Sequence, residues 1–376
     1  MKRDPKSAAS ERSVRLAIVT NIPAPYRIPV YNLLAQDLGE DFVVFFCAAS
    51  EPNRQWDLPE MEFRHVFLRG HLVKKKEPYA HNNFDVLPSL VKFGPNVVLT
   101  TGYNPTHLYA WFYSVLWRKK HIAMTDGWLL NERQLTMLHR AARRMVLGTS
   151  HAFVGAGANS MELFASYGVK KDDMFKSHLC ADNGRFMEHS GNRDRKYDIM
   201  FSGQIIERKI PAFFADVAGR VSKVKGDLRV LVLGDGPLRK KFLDDMSKAG
   251  VQFEYAGFVR QGDLPAYYSQ ARLLLLTTKE DAWGLVANEA MAAGTPVIST
   301  PYAGIVNDLL IDGRGGFVME PDPVTWGERI LRVLDDPQLW ERLSVDATEA
   351  VKEFNFGNAA EGIKRAAKHA LEVRNA

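Results

Sequence analysis

Short apolar runs, each bounded by polar or turn residues, recur along this chain. The first spans 14–20 (VRLAIVT), and others follow at 42–47 (FVVFFC), 63–67, 96–100 (NVVLT) and 121–125. Runs of this length without apolar–polar alternation predict strands buried on both faces, as in a parallel sheet. Between them, apolar residues recur near helical spacing at 30–38, 108–117 and 134–147. In the last of these Leu135, Leu138, Ala142 and Val146 carry the repeat, and His139, Arg140, Arg143 and Arg144 the charge. Strands alternating with helices predict a doubly wound α/β sheet.

The pattern breaks at 187–196 (MEHSGNRDRK), which is charged and poor in large apolar residues, and then restarts. Strands are predicted at 197–202, 228–233, 251–255, 272–276 and 295–299, with helices at 211–221, 237–249 and 285–293. Gly294 supplies a helix stop before the last strand. Three amphipathic helical stretches, 323–335, 337–353 and 358–374, close the chain. A chain of 376 residues exceeds one ordinary core, since domains run to ~100–200 residues. The expected division is 1–190, 191–355, and a final helical stretch 356–376 returning to the first domain. Two open α/β domains leave a cleft between them, and ligands bind beyond the carboxyl ends of such strands. An activity must still be argued from particular side chains.

Composition narrows the classes. A hydrophobic share of 46% with 25% charged residues excludes a largely disordered chain, a collagen-like fibre and a coiled-coil rod. Two cysteines, Cys47 and Cys180, exclude a disulfide framework and a cysteine-based zinc cluster, and suit a reducing compartment. No stretch approaches the ~18–20 apolar residues of a membrane span. The segment 107–117 comes nearest and ends at Arg118, Lys119 and Lys120. The polar start (MKRDPKSAASERS) has no apolar run behind it, so a secretory signal is not expected and a cytoplasmic location is. The first 190 residues carry 24 basic and 18 acidic side chains, the rest 25 and 26. That surplus in the first half fits either an anionic partner or a plain solvated face.

The segment 279–300 (KEDAWGLVANEAMAAGTPVIST) concentrates the candidate chemistry. A strand ends, an acidic turn follows, and Ala282-Trp283-Gly284-Leu285 opens a helix. Asp281 precedes the helix start and Glu289 lies about one turn inside it. The free N–H groups between them form an anion site, strengthened by the helix dipole. Gly284 lets a ligand approach the backbone. Such an arrangement suits a nucleotide diphosphate-sugar. It also suits an acidic turn that only stabilises its own helix, and the residues by themselves leave both open.

This segment resembles the signature of glycosyltransferase family 4, retaining enzymes of the GT-B fold. In that family two acids flank seven residues, with an aromatic-Gly pair inside and an EAMA-x-G-x-PVI continuation, here EAMAAGTPVI. Asp281 stands where the family has Glu. The stretch 201–209 (FSGQIIERK) is similar to the family's diphosphate loop, with Gly203, Gln204 in place of Arg, Arg208, and Lys209 as the diphosphate cation. LGDGP (233–237) resembles a family turn, and AGFVRQGDLPAYYSQA the stretch that meets the nucleobase, near Phe258 and Val259. In 301–323 the match places Gly304 in a loop and has Asn307 and Asp308 open a helix. The similarity is strong over 195–325 and looser before it. There, NIPAPYRIPVYNLLA and TTGYNP offer Tyr26, Arg27 and Tyr103 to the acceptor. In MTDGW, Asp126 falls where many relatives place a histidine near the reacting sugar; an Asp-Gly turn is the other reading. CADNGRF (180–186) resembles the interdomain turn.

What the resemblance implies is sugar transfer from a nucleotide diphosphate donor to a hydroxyl, with retention. Asp126, Asp281 and Lys209 would be catalytic. Gly203, Gln204, Arg208, Lys209, Phe258, Val259, Trp283, Gly284, Leu285 and Glu289 would hold the donor. The family often works on lipid-linked glycans in surface polysaccharide and lipopolysaccharide assembly, so a lipid-linked acceptor is expected. With Lys74–Lys76, Arg118–Lys120 and Arg140, Arg143 and Arg144, peripheral attachment to an anionic membrane is expected too. A GT-B hydrolase or epimerase, or a non-catalytic sugar-nucleotide-binding subunit, would share most of these residues. No cofactor beyond the donor and no metal is implied, since the chain has no HExxH and no Asp-x-Asp at a predicted strand end. Nucleic acid is not an expected partner, because the aromatics of YAWFYSVLW read as core helix.

Overall fold

The computed structural model describes residues 13–52, 56–74, 79–132, 135–191 and 194–373. Nine strands form in the first half: β1 (Leu16–Thr20), β2 (Phe42–Phe46), β3 (His65–Phe67), β4 (His71–Lys74), β5 (Ala80–Asn82), β6 (Val97–Thr100), β7 (Lys120–Thr125), β8 (Ala152–Gly155) and β9 (Met174–Lys176). All but β4 and β5, which pair antiparallel as a separate ribbon, build one parallel sheet in the order β3-β2-β1-β6-β7-β8-β9. Six more, β10 (Tyr197–Ser202), β11 (Arg229–Leu233), β12 (Gln252–Gly257), β13 (Ala271–Leu276), β14 (Val297–Ser299) and β15 (Gly316–Val318), build a second, in the order β12-β11-β10-β13-β14-β15.

Alternation along each strand explains the uninterrupted apolar runs. In β1, Leu16 and Ile18 enter the core on one face of the sheet and Ala17 and Val19 the core on the other. In β13, Leu274 and Leu276 face one core and Leu273 and Leu275 the opposite one. Both faces are covered by helices, so no polar alternation is needed. Each sheet reverses its strand order once, at β1/β6 and at β10/β13. Carboxyl-end crevices at such points are where ligands bind.

Several elements differ from the sequence pattern at their ends. Residues 63 and 64 stay outside β3, which pairs through three residues on the sheet edge. The short strand β8 and the β4–β5 ribbon are not separable as apolar runs. Asn307 and Asp308, expected to open a helix, lie instead in a tight turn in which Asn307 has φ +65°. The closing helix, Phe356–Glu372, buries Ala359, Ile363, Ala366 and Ala370 in the core beneath β1, β6, β7 and β8.

Two loops at the carboxyl end of the second sheet pass within backbone contact. A Cβ on Gly234, at φ +115°, would stand 1.9 Å from the Gly203 carbonyl oxygen. One on Gly236 would stand 2.4 Å from the Ile205 carbonyl oxygen. Only glycine fits, and this explains LGDGP better than a ligand contact does. Gly234→Ala is therefore expected to destabilise the protein by about 2–3 kcal/mol, read as a lower urea midpoint with an unchanged slope.

Candidate functional site

The second-sheet crevice is built from the ends of β10 and β13. After β10 the chain runs through Gly203 (φ +132°) and exposed Gln204 into a single turn, Glu207–Lys209. Ile210 follows at φ +37°, a conformation a β-branched side chain rarely adopts. The turn is pinned to the segment after β13: Thr277 Oγ1 donates to the Lys209 carbonyl at 2.9 Å, and Lys279 N–H to the Arg208 carbonyl at 2.8 Å. This places buried Lys209 with its ammonium on the Asp281 carboxylate. Arg208 lies beside them, 3.6 Å from the same carboxylate and donating to the Glu280 carbonyl at 2.6 Å. Burial raises the Asp281 pKa. The charge and hydrogen bond of Lys209, with Arg208 and the Trp283 N–H, outweigh it and hold the group below its usual range.

Three residues beyond Asp281, Gly284 turns into the helix Leu285–Ala292 at φ +105°. Ala287 is the first amide of this helix to find a backbone partner, the Gly284 carbonyl at 2.8 Å. The amides of Gly284, Leu285 and Val286 are left for something else, in an orientation that suits an anion. Glu289, in the second turn, accepts from the Tyr268 hydroxyl at 2.8 Å, and that hydroxyl lies 2.7 Å from Ser202 Oγ. Burial pushes the Glu289 carboxyl up to about 7, against a smaller downward pull from Tyr268. Sequence reasoning does not find Tyr268 or Ser202; a tyrosine inside a helix and a serine closing a strand carry no signal of their own.

The structure brings Lys209, Arg208, Asp281, Gly284 and Leu285 together, with Gly203 and Glu289 on the adjoining elements. It does not bring Trp283 with them. The indole is buried in the core, 5.6 Å from the His178 ring and 5.8 Å from Phe354. Its backbone N–H is taken by Asp281. Trp283 is thus a wedge between the domains, and the donor contact expected of it is corrected. Phe258 is exposed and, with Arg260, lines a cavity of about 460 Å³ whose other walls, among them Ile22 and Trp56, come from the first domain. Val259 packs against the second-domain core.

On the first domain, Tyr26, Arg27 and Asp126 line one cavity at the carboxyl ends of β1, β6 and β7. Arg27 is buried there. Its Nη1 donates to Ser177 and to the His178 carbonyl, and its Nη2 reaches Asp126 Oδ1 at 3.0 Å. Arg27 therefore fixes Asp126 and is not a free acceptor ligand, as the sequence had suggested. Tyr103 lies apart from this cavity, in the apolar cluster around Phe153 and Phe164, with the Arg143 guanidinium 4.6 Å above its ring. The turn residue Asp308 bridges the domains. It accepts from the Ala158 N–H at the start of helix Ala158–Ser166 and pairs with Lys176 at 2.5 Å. Among the described residues, no group of three or more His, Cys, Asp or Glu could hold a metal ion.

With Glu289 neutral below about pH 7 and ionised above it, its power to accept ligand hydroxyls grows with pH. Affinity for a nucleoside diphosphate is expected to tighten between pH 6 and 8 in calorimetry, and Glu289→Gln to flatten that slope.

Residues 182–350 match the family model described as Glycosyl transferases group 1. The chain is 29% identical over 163 residues to the 2-deoxystreptamine N-acetyl-D-glucosaminyltransferase of Niallia circulans, covering 42% of either chain. It is 26% identical over 234 residues to the D-inositol 3-phosphate glycosyltransferase of Paenarthrobacter aurescens, covering 58% of this chain and 57% of that one. The chain thus spans about half the length of these curated relatives. Among solved structures, Anabaena Alr3699/HepE in complex with UDP superposes with a TM-score of 0.74 at 13% identity, over 94% of this chain and 99% of that one. WaaG, a glycosyltransferase involved in lipopolysaccharide biosynthesis, does so at 0.65 and 15%, over 93% and 98%. Two parallel-sheet domains facing a cleft, superposing on such structures along nearly their whole length, are the GT-B fold, and residues 182–350 of this chain are similar to the glycosyl transferases group 1 family.

Proposed function

We propose that the protein is a retaining glycosyltransferase that moves a sugar from a nucleotide diphosphate donor to a hydroxyl of a lipid-linked glycan. One observation carries the reading. Three backbone amides at the start of helix Leu285–Ala292 lack backbone partners, next to Lys209 and Arg208. A departing diphosphate develops negative charge, and fixed amides, a helix dipole and two cations are what stabilise it. Lys209 has three N–H groups, so it can keep Asp281 and still reach a phosphate oxygen. Glu289 would take donor hydroxyls, with Tyr268 and Ser202 setting its orientation. UDP in the Anabaena structure supports a uridine nucleotide as the first donor to try. Neither hydrolysis nor epimerisation is favoured by a particular contact. Lys209→Ala is expected to lower turnover by ~10²–10³ in a donor-consumption assay with a glycan acceptor. Wild-type turnover would remove Lys209 from the site.

The lipid-linked acceptor finds support on the first domain. Helix Met137–Thr149 exposes Met137 and Leu138, at 86% and 79%, beside Arg140 and Arg144. The adjoining helix Pro105–Leu116 exposes Phe112, Val115 and Leu116. Apolar side chains flanked by arginines suit an anionic lipid surface. Arg143 does not belong to this set, since Glu132 and Tyr103 hold it. Lys75 and Lys76 lie outside the described residues. No helix among the described residues is long and apolar enough to cross a membrane. Binding to phosphatidylglycerol vesicles at low salt is expected, weakened at least tenfold in Leu138→Glu/Arg144→Glu; sedimentation without vesicles in both proteins would refute the attachment.

A further inference from the structure

The first-domain cavity has a chemistry of its own, set by two residues that no sequence motif marked. It measures about 180 Å³ and sits at the β1/β6 reversal, lined by Tyr26, Glu51, Trp56 and Asp126 among others. At ~30 Å³ per water, that is room for about six waters, the scale of one sugar ring rather than an extended glycan. We infer that this cavity takes a single neutral sugar ring as the acceptor unit and rejects the same ring carrying a phosphate. The word acceptor here rests on the glycosyl-transfer reading; the sugar site does not.

Two aromatic rings supply an apolar corner. Tyr26 and Trp56 meet edge to face, with centroids 6.0 Å apart and planes at 80°. Such a corner suits the C–H face of a pyranose, while its hydroxyls need polar partners around the rim. Thr20, Asn21, Thr101 and Thr125 stand there. Asn21 spends its Oδ1 on the Asn104 amide, 2.7 Å away, which leaves its NH₂ to donate.

Charge decides the class of sugar. Glu51 Oε1 lies 2.9 Å from His81 Nε2, and Asp126 Oδ1 takes Arg27. The second oxygen of each carboxylate has no protein hydrogen-bond partner among the described residues. Carboxylate oxygens only accept, so they suit sugar hydroxyls, which donate. Arg27 is the one cation among the described lining residues, and its two terminal nitrogens are already spent on Ser177, His178 and Asp126. Among the described lining residues, a phosphate here would face two carboxylates with no free guanidinium or ammonium to offset them. The cavity also opens in the right place. Tyr26 packs against the core cluster that runs across the seam of the two domains, and Ile22 and Trp56 are shared with the interdomain cavity that Phe258 and Arg260 line.

The test is saturation-transfer NMR and titration calorimetry on the full chain without donor. The probes are the methyl α-glycosides of glucose, galactose, mannose and N-acetylglucosamine, and the 6-phosphates of those four glycosides. At least one neutral glycoside is expected to bind at least tenfold more tightly than its phosphate. Trp56→Ala and Glu51→Gln should each weaken that binding at least tenfold, with far-ultraviolet circular dichroism unchanged in both and UDP affinity at the wild-type value in Glu51→Gln. Binding of a phosphate as tight as its glycoside, no binding by any of the four, or wild-type binding in both variants overturns the inference. Neutral-sugar binding as described in a protein that transfers nothing would sink the transferase reading and leave this site standing. Transfer with wild-type acceptor KM in both variants would do the reverse.

Discussion

A cation and an acid taken out of water together organise the second-domain crevice. Lys209 is buried, and the energetic cost of burying its charge is offset only while Asp281 faces it. Keeping that pair requires the turn after β10 and the segment after β13 to be held in register, which the Thr277, Thr278 and Lys279 hydrogen bonds to the turn's carbonyls accomplish. The same segment then delivers the start of helix Leu285–Ala292 to the crevice with its first amides unspent. The strained backbone of Ile210 is the local cost of this arrangement, placed one residue from the buried Lys209 ammonium.

The two domains are joined as deliberately as each is built. Trp283 fills the seam behind the crevice against His178 and Phe354, whose ring lies 4.5 Å from the imidazole. His178 is anchored by the Ala156 carbonyl at 2.7 Å, and burial lowers its pKa, which favours the neutral ring among these aromatics. Asp308 completes the seam by capping a first-domain helix from the second domain. A carboxylate at a helix start is favourable by itself, and here it also ties one sheet's loops to the other's. Arg27 plays the equivalent part within the first domain, spanning β1's loop, the residues after β9 and Asp126.

Much of the fold was written in local pattern. Uninterrupted apolar runs of strand length between turn residues pointed to doubly covered strands, and the order of strands and helices pointed to the two-sheet class. Asp281 and Glu289 stood out because their spacing around Gly284 has a backbone consequence, whereas Lys209 was marked only by the resemblance of 201–209 to the family's diphosphate loop. Trp283 and Tyr103 were misplaced because an aromatic beside a motif gives no sign of which way its ring turns. Arg27 was misplaced for a related reason: a guanidinium looks the same in sequence whether it waits for a ligand or is already spent on carbonyls.

From the sequence alone came the periodicities, the chain-reversing glycines and the charge balance, all of which act over a few residues. Tertiary structure alone decided which side chains share a cavity. Glu51, Trp56, Tyr26 and Asp126 come from three separate loops and meet only where β1, β6 and β7 end. Tyr268 reaches Glu289 across 21 positions of chain, and Ser202 reaches Tyr268 across 66. The physical reason is one of range. Backbone preference and hydrophobic alternation are nearest-neighbour effects, whereas hydrogen bonds and ion pairs need atoms within about 3 Å, a proximity created only when distant strands assemble into sheets.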